Sequence, residues 1–288
     1  MTRHLLIFGY GFSGAALARR LRPEGWSIAA THRRPEDAER LSAQGVTPVA
    51  LQDAEALARE TAKAEAVLVT APPDADGCPG LRTLVPVMAR TGAFPDWLGY
   101  LSTTGVYGDR QGGWVFETSR IAAQSMEGAR RAAAERDWLD VGQGMGLTVT
   151  IFRLPGIYGP GRSTLDRLRE GRARRVGAPG QIFSRIHVDD LAQGLAASIA
   201  RPRAGGIYNL CDDEPAPNSD VIAYAAGLLG QTPPPETPLD LDQLSPQARR
   251  FYAETKRVSN ARAKAELGWR PRYPNYREGL SAIFQAGG

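Results

Sequence analysis

Residues 5–18 of this 288-residue chain read LLIFGYGFSGAALA. The apolar run predicts a strand buried on both faces, and the glycine spacing after it predicts a tight turn into a helix. Glycines in this pattern allow the turn, the close approach of a pyrophosphate and the close packing of helix on strand. We therefore expect a dinucleotide at this turn, in contact with Gly9, Tyr10, Gly11, Phe12, Ser13 and Gly14.

A serine nucleophile on a strand-to-helix turn is the competing interpretation of these residues. Residues 11–14 begin the Gly-x-Ser-x-Gly motif of such a turn, but Ala15 stands where the last glycine is needed. The turn also follows the very first strand of the chain. Both observations argue against a serine hydrolase.

Composition limits the class of protein. With 42% hydrophobic residues, the chain can bury a sizeable core, as one large domain or as one domain with a smaller appendage. It opens straight onto the first strand and has no apolar stretch of about 18 residues, so we expect a cytoplasmic protein with no membrane contact. Cys78 and Cys211 lack a CxxC partner, which argues against structural zinc, and we expect no metal.

The charge pattern argues against nucleic acid as a partner. The net charge is +4, and arginine patches such as Arg130-Arg131 lack the interleaved aromatic residues of a single-strand binder. We interpret most of these patches as a solvated basic surface.

Strand and helix signals alternate along the first 153 residues. The predicted strands are 5–8, 26–31, 46–51, 66–70, 97–102 and 147–153. The predicted helices include 35–43, 54–64, 81–89 and about 120–138. This alternation predicts an α/β protein with a doubly wound parallel sheet, the Rossmann fold, and a ligand at the carboxyl ends of its strands.

The pattern changes after Arg153 to turn-rich sequence, followed by a helix at 188–199 and a strand at 207–210 that return to the sheet. We assign residues 1–155 plus 187–215 to a dinucleotide-binding domain. Residues 156–186 plus 216–288 are assigned to a smaller C-terminal cap that binds substrate.

The end of the second predicted strand indicates which dinucleotide binds. His32, Arg33 and Arg34 stand about twenty residues past the glycine turn, where an NAD site usually has Asp or Glu for the ribose 2′-hydroxyl. A guanidinium binds phosphate through two charge-assisted hydrogen bonds, so the sequence favours NADP over NAD. Arg33 is the first choice for the 2′-phosphate and Arg34 the second, and an exposed basic loop is the alternative interpretation.

The ends of the fourth and fifth strands complete the expected cofactor site. Ala71 and Pro72 follow the fourth strand, and Ser102 ends the fifth. In a parallel sheet these carboxyl ends lie along the same edge as the glycine turn.

The glycine turn and five further segments resemble the extended short-chain dehydrogenase/reductases, the NAD-dependent epimerase/dehydratase superfamily. The segments are LSTTGVYGD at 101–109, RLPGIYGPG at 153–161, HVDDL at 187–191, YNL at 208–210 and the run from Lys256 to Pro271. Their order covers nearly the whole chain. Phe8 stands where many members have a glycine, and this GxGxxG form resembles an atypical bacterial branch. The resemblance implies a small-molecule substrate and a monomer or homodimer.

The resemblance also implies a catalytic Ser or Thr after the fifth strand and a Tyr-x-x-x-Lys pair on the next helix, whose Lys lowers the Tyr pKa. Thr103 matches the first position. If Glu135 matches the acidic residue usual later in that helix, Glu127 and Arg131 stand at the Tyr and Lys positions. Arg does not titrate and Glu is no phenol. A surface i,i+4 ion pair is the alternative interpretation of these two residues.

Other titratable groups are weaker candidates. The Tyr-x-x-x-Lys at 252–256 lies in the C-terminal segment, far from the predicted helix. Tyr107, Tyr158 and His187 lie in segments expected near the cleft, but in the family such residues are commonly structural.

Two functions follow from the sequence. The first is an NADP-dependent oxidoreductase acting on a small carbonyl, alcohol or sugar-like substrate, in which Thr103 orients the reacting oxygen. The second is a catalytically silent protein that holds the dinucleotide as a structural ligand or a redox signal. The missing Tyr and Lys motivate the second.

Overall fold

The computed structural model describes residues 3–240, 242, 249 and 252–287. In chain order its strands are β1 His4–Phe8, β2 Ser27–His32, β3 Thr47–Ala50, β4 Ala66–Val69, β5 Trp97–Thr103, β6 Trp114–Val115, β7 Val149–Leu154, β8 Gly156–Tyr158, β9 Arg175–Gly177, β10 Arg185–His187, β11 Gly206–Asn209, β12 Glu236–Pro238 and β13 Arg257–Val258. Its helices are α1 Phe12–Leu21, α2 Glu36–Ala43, α3 Ala54–Lys63, α4 Pro79–Thr91, α5 Met126–Met145, α6 Thr164–Arg169, α7 Val188–Ala200, α8 Asn218–Leu228, α9 Ala261–Leu267 and α10 Tyr276–Gln285.

Seven strands form the central sheet, in the order β3-β2-β1-β4-β5-β7-β11. β1 pairs in parallel with both β2 and β4, and the chain winds outward from β1 in both directions. In such a sheet ligands bind outside the carboxyl ends of the strands, where the strand order reverses. The doubly wound parallel sheet expected from the sequence is confirmed. The strands begin and end within two residues of the predicted positions.

The sheet is held by apolar burial on both faces. All five residues of β1 are buried, as expected for a central parallel strand. Leu6 and Phe8 share one core cluster with Val67, Val69 and Trp138. Burial of each such side chain contributes about 1.5–3 kcal/mol, so the core holds β1 in the middle of the sheet.

Helix α5 corrects both ends of a predicted helix. It covers Met126–Met145 instead of residues 120–138. The Gly128 N–H donates to Ser125 Oγ at 3.1 Å, so a side chain satisfies a backbone donor of the first turn, as a helix cap does. At the other end Gly146 has a φ of +68°, the left-handed conformation that commonly ends helices.

The chain divides into two compact units. Unit 1 comprises Met1–Thr103, Ala129–Arg153 and Leu191–Tyr208. Unit 2 comprises Thr104–Gly128, Leu154–Asp190 and Asn209–Gly288. In unit 2, β6 pairs with β13, β8 with β10 and β9 with β12, all in parallel, and α6, α8 and α10 share a core. The assignment of one part of the chain to cofactor and another to substrate stays a prediction.

The two cysteines are buried and free. Cys78 caps the start of α4, and the Cys211 thiol donates to the Val258 carbonyl at 3.2 Å. Among the described residues, no helix combines the length and the apolar character that a bilayer crossing needs.

Candidate functional site

The glycine turn joins β1 to α1, and its first glycine is held on both sides. The Gly9 N–H donates to Thr31 Oγ1 at 3.0 Å, and the Gly9 carbonyl accepts from Thr70 Oγ1. Its φ is +91°, and a Cβ there would stand 3.2 Å from the Ala71 nitrogen. A side chain would be strained both by the backbone conformation and by this contact, which explains the glycine.

Gly11 and Gly14 meet different demands. Gly11 caps α1, and nothing lies within 4 Å of the position that its Cβ would take. A Cβ on Gly14 would lie 3.0 Å from Ile7 Cγ2, so α1 packs closer to β1 than a side chain allows. The three glycines therefore combine a tight turn, an open approach to the backbone and close helix–strand packing, which is the arrangement that a pyrophosphate needs.

The start of α1 suits an anion. Its first turn carries no acidic residue, and its cap residue makes no side-chain hydrogen bond to the first N–H groups. The aligned peptide dipoles place partial positive charge at this end of the helix. Tyr10, Phe12 and Ser13 are partly buried there, and the Tyr10 hydroxyl donates to Gln44 Oε1 at 3.1 Å.

The two arginines after β2 differ in their partners. Arg34 Nε lies 3.2 Å from Asp37 Oδ2, and this hydrogen bond raises the pKa of Arg34. His32 Nδ1 lies 2.9 Å from the Arg34 carbonyl oxygen. Arg33 is exposed, and within the described part of the chain its guanidinium has no hydrogen-bond or ion-pair partner. Arg33 is therefore the arginine whose donors are available to a phosphate.

The other predicted site residues follow β4 and end β5. Ala71 is partly buried beside Gly9, and Pro72 is exposed. Thr103 is the half-buried last residue of β5. Ser102 is only 5% exposed, and its hydroxyl donates to Glu135 Oε1.

Ser102, Glu135 and Arg153 form a buried polar network that ties α5 to β5 and β7. Arg153 Nη2 and Nε donate to Glu135 Oε2 at 2.8 and 3.1 Å, and both side chains are about 95% buried. A buried ion pair is costly to break, because removal of one partner leaves the other charge without compensation. The network therefore fixes α5 against the end of β5.

Arg131 lies next to this network on α5. Its Nη1 donates to the Leu101 carbonyl and lies 3.4 Å from the Tyr100 hydroxyl. Burial raises the pKa of Tyr100, and the charge of Arg131 opposes that rise. Because Arg is always protonated, α5 holds a permanent positive charge at the carboxyl end of β5, two residues before Thr103.

Several of these contacts were not predicted from the sequence. Thr31 and Thr70 hold Gly9, and a signal existed, since each stands at the end of a strand that neighbours the turn. Arg153 was noted only within a family motif, and no local pattern links it to Glu135, which lies 18 residues away.

The motif residues of unit 2 make packing contacts within that unit. The Tyr107 hydroxyl donates to Asn209 Oδ1 at 2.8 Å. His187 is 2% exposed, and the ring of Tyr158 stands edge-on to it with centroids 5.3 Å apart. Lys256, from the misplaced Tyr-x-x-x-Lys, pairs with the Glu254 carboxylate.

Glu127 lies in the first turn of α5 and is exposed. It borders an open cavity of about 350 Å³ in unit 2. The lining residues are Gln124, Ser125, Met126, Glu127, Ala253 and Glu254.

Comparisons with known proteins agree with the fold. The model of the NAD dependent epimerase/dehydratase family matches residues 5–211, which confirms the resemblance seen in the sequence. A solved structure of a functionally unknown conserved protein from Silicibacter pomeroyi DSS is 47% identical and has a TM-score of 0.91. The alignment covers 100% of this chain and 99% of the Silicibacter chain.

Two curated proteins are also similar. Protein YeeZ of Escherichia coli K12 is 27% identical over 285 residues, which cover 95% of this chain and 97% of YeeZ. A 3-diazoavenalumate denitrifying reductase of a Streptomyces species is 30% identical over 141 residues. That match covers 45% of each protein, so the aligned region spans less than half of the reductase.

Proposed function

Because the chain belongs to the NAD-dependent epimerase/dehydratase family, we propose that it binds NADP and is an oxidoreductase for a small carbonyl, alcohol or sugar-like substrate. The observation that carries the proposal is the glycine turn, where a held Gly9 and an open Gly11 precede an uncapped helix start. The reductase name of the Streptomyces relative supports this reaction class.

Two parts of the cofactor, the pyrophosphate and the 2′-phosphate, have residues that fit them. The N–H groups at the start of α1 bind the pyrophosphate, and the open space at Gly11 lets it approach the backbone. Arg33 binds the 2′-phosphate with its available donors, which selects NADP over NAD. Ala71 lies beside Gly9 and is followed by Pro72, and Ser102 positions the end of β5 through Glu135.

Bound nicotinamide supplies or accepts the hydride, and the protein positions the reactants. Thr103 orients the reacting oxygen of the substrate through its hydroxyl. Arg131 keeps a fixed positive charge at the end of β5, where it favours negative charge developing on that oxygen. An arginine does not exchange a proton near neutral pH, so the proton comes from water or from another side chain.

A second candidate function is a silent dinucleotide-binding protein with a structural or redox-sensing role. The observation that favours it is the pair Glu127 and Arg131 at the positions expected for Tyr and Lys. An exposed carboxylate and a guanidinium tied to a main-chain carbonyl lack the phenol and the amine of the Tyr–Lys pair that the family resemblance implies. Both candidates place the protein in the cytoplasm, as a monomer or homodimer.

One experiment separates the candidates. Thermal shifts with NADPH, NADP⁺, NADH and NAD⁺ establish binding, and oxidation of NADPH against a panel of aldehydes, ketones and keto-sugars establishes turnover. Binding with turnover supports the oxidoreductase. Binding without turnover supports the silent protein, and failure of every dinucleotide to bind contradicts both.

A further inference from the structure

Three side chains of unit 2 that the proposed reaction does not use carry buried polar atoms without a hydrogen-bond partner among the described residues. Tyr158 lies on β8, Arg185 on the neighbouring β10, and Asp212 just after β11. Arg185 is 9% exposed and Asp212 is 2% exposed. The Tyr158 hydroxyl, Arg185 Nη1 and both carboxylate oxygens of Asp212 are buried without a hydrogen-bond partner among the described residues.

The three groups are close enough to influence one another. The Asp212 N–H donates to the Arg185 carbonyl oxygen at 2.8 Å, which ties the two backbones together. Burial raises the pKa of Asp212 and of Tyr158. The charge of Arg185 acts in the opposite direction, because it favours the ionised form of each group. The four polar atoms without hydrogen-bond partners therefore lie in one buried region.

Asp212 is the carboxylate whose charge acts most strongly on Arg185. The next two carboxylates along the chain have other partners, since Asp213 accepts from Lys264 and Glu214 from Arg277, both at 2.5 Å. A neutral Asp212 would leave the buried guanidinium charge without compensation. An ionised Asp212 in turn needs hydrogen-bond donors on its two oxygens.

The chemistry of the four atoms identifies what satisfies them. Arg185 Nη1 only donates, the Asp212 oxygens only accept, and the Tyr158 hydroxyl does both. An anion would be repelled by Asp212 and a cation by Arg185. Water both donates and accepts, carries no charge, and is the usual partner of buried polar groups that lack a protein partner. We propose that Tyr158, Arg185 and Asp212 form an internal binding site for ordered water, which bridges the buried guanidinium and carboxylate.

Neighbouring residues close the rest of the site. Gly279 lies directly against the Tyr158 hydroxyl, where a Cβ would collide with it. Arg185 Nη2 donates to the Ala216 carbonyl at 3.1 Å, and the guanidinium carbon stands 5.5 Å from the Tyr276 ring centroid. Among the described residues, Nη1 is the one nitrogen of this guanidinium that is buried without a hydrogen-bond partner.

A crystal structure of the full chain at high resolution tests the proposal directly. We expect at least one ordered water within about 2.7–3.2 Å of Arg185 Nη1 and of an Asp212 oxygen. A direct Arg185–Asp212 hydrogen bond with no water between them, or an organic solute in this place, would overturn it.

A solution measurement keeps the proposal testable by a second route. Oxygen-17 magnetic relaxation dispersion counts long-lived internal waters, and we expect Arg185→Met with Asp212→Leu to lose at least one. Tyr224→Phe is the control, because its hydroxyl lies 2.9 Å from Ser281 Oγ. An unchanged count in a folded double variant contradicts the proposal, and if that variant does not fold, Tyr158→Phe must shorten the water residence time.

Discussion

Arg131, on α5, donates a hydrogen bond to the main-chain carbonyl of Leu101, on β5. The contact places a guanidinium where the family resemblance implies a lysine, and the partner is a backbone atom 30 residues away in sequence. On the alignment that the resemblance implies through Glu135, Arg131 keeps a positive charge at the end of β5, and Glu127 stands at the tyrosine position.

Arg131→Ala removes this charge and the tie between helix and strand. Hydrogen bonds to charged groups contribute about 1.5–3 kcal/mol, so we expect a loss of that order in the free energy of unfolding, measured by urea titration. For the oxidoreductase we also expect kcat to fall more than KM rises. Arg130→Ala, next along the helix, is the control, and an equal effect there would contradict the role of Arg131.

Arg33→Ala is expected to weaken NADPH binding about 10- to 100-fold, because charge-assisted hydrogen bonds to the 2′-phosphate are lost. NADH lacks that phosphate, so its affinity should not change. Calorimetric titration with both cofactors measures the difference. Arg34→Ala is the matched control, since Asp37 already engages Arg34. An equal loss of affinity for NADPH and NADH in the Arg33 variant contradicts this assignment.

Gly9→Ala and Gly11→Ala separate folding from binding. At Gly9 the φ of +91° and the nearby Ala71 nitrogen should cost roughly 1–2 kcal/mol or more of stability. At Gly11 the space for a Cβ is open, so we expect little change in melting temperature but weaker dinucleotide binding. A lower melting temperature for Gly11→Ala than for Gly9→Ala would contradict the geometry of the turn.

Glu135→Ala leaves Arg153 buried without its bidentate partner. We expect a loss of about 3–5 kcal/mol in the free energy of unfolding, from denaturant titration. Ser102→Ala removes one hydrogen bond to the same carboxylate and should cost only about 1 kcal/mol. Equal losses in the two variants would show that the ion pair does not dominate the network.

Asp190 gives the fold a pH dependence. Burial raises its pKa to about 6, although the Arg272 and Tyr273 N–H groups donate to its oxygens. A carboxyl whose pKa is raised in the folded state binds its proton more tightly there than in the unfolded chain. Its contribution to the free energy of unfolding is therefore fully present below about pH 4 and is lost as the pH rises through about 6. The loss is on the order of 2–3 kcal/mol.

The Asp190→Asn variant tests this by urea titration between pH 4 and 7. The difference in unfolding free energy between wild type and variant should shift in favour of the variant as pH rises. A difference that stays constant across this range would contradict the raised pKa.

The features that depend on residues close together in the sequence were predicted from it. The order of strands, the glycine turn and the positions of Arg33 and Arg34 follow from periodicity and from motifs within a few residues of each other. The start of α5 was placed too early because the hydrogen bond from Gly128 to Ser125, and not helix propensity, sets it.

Contacts between distant residues were beyond that reasoning. Glu135 meets Ser102 and Arg153 across 33 and 18 residues, and no periodic pattern links them. Arg131 binds a carbonyl, a group that every residue carries, so its partner could not be identified from the sequence. The geometry of the glycine turn was therefore predictable from the sequence, whereas the contacts of Glu135 and Arg131 were not.

Calorimetric titration of the wild-type protein with NADPH and with NADH tests whether the protein selects NADP. We expect one bound NADPH per chain, with an affinity at least tenfold above that for NADH. Absence of binding by either cofactor, or equal affinity for both, would contradict it.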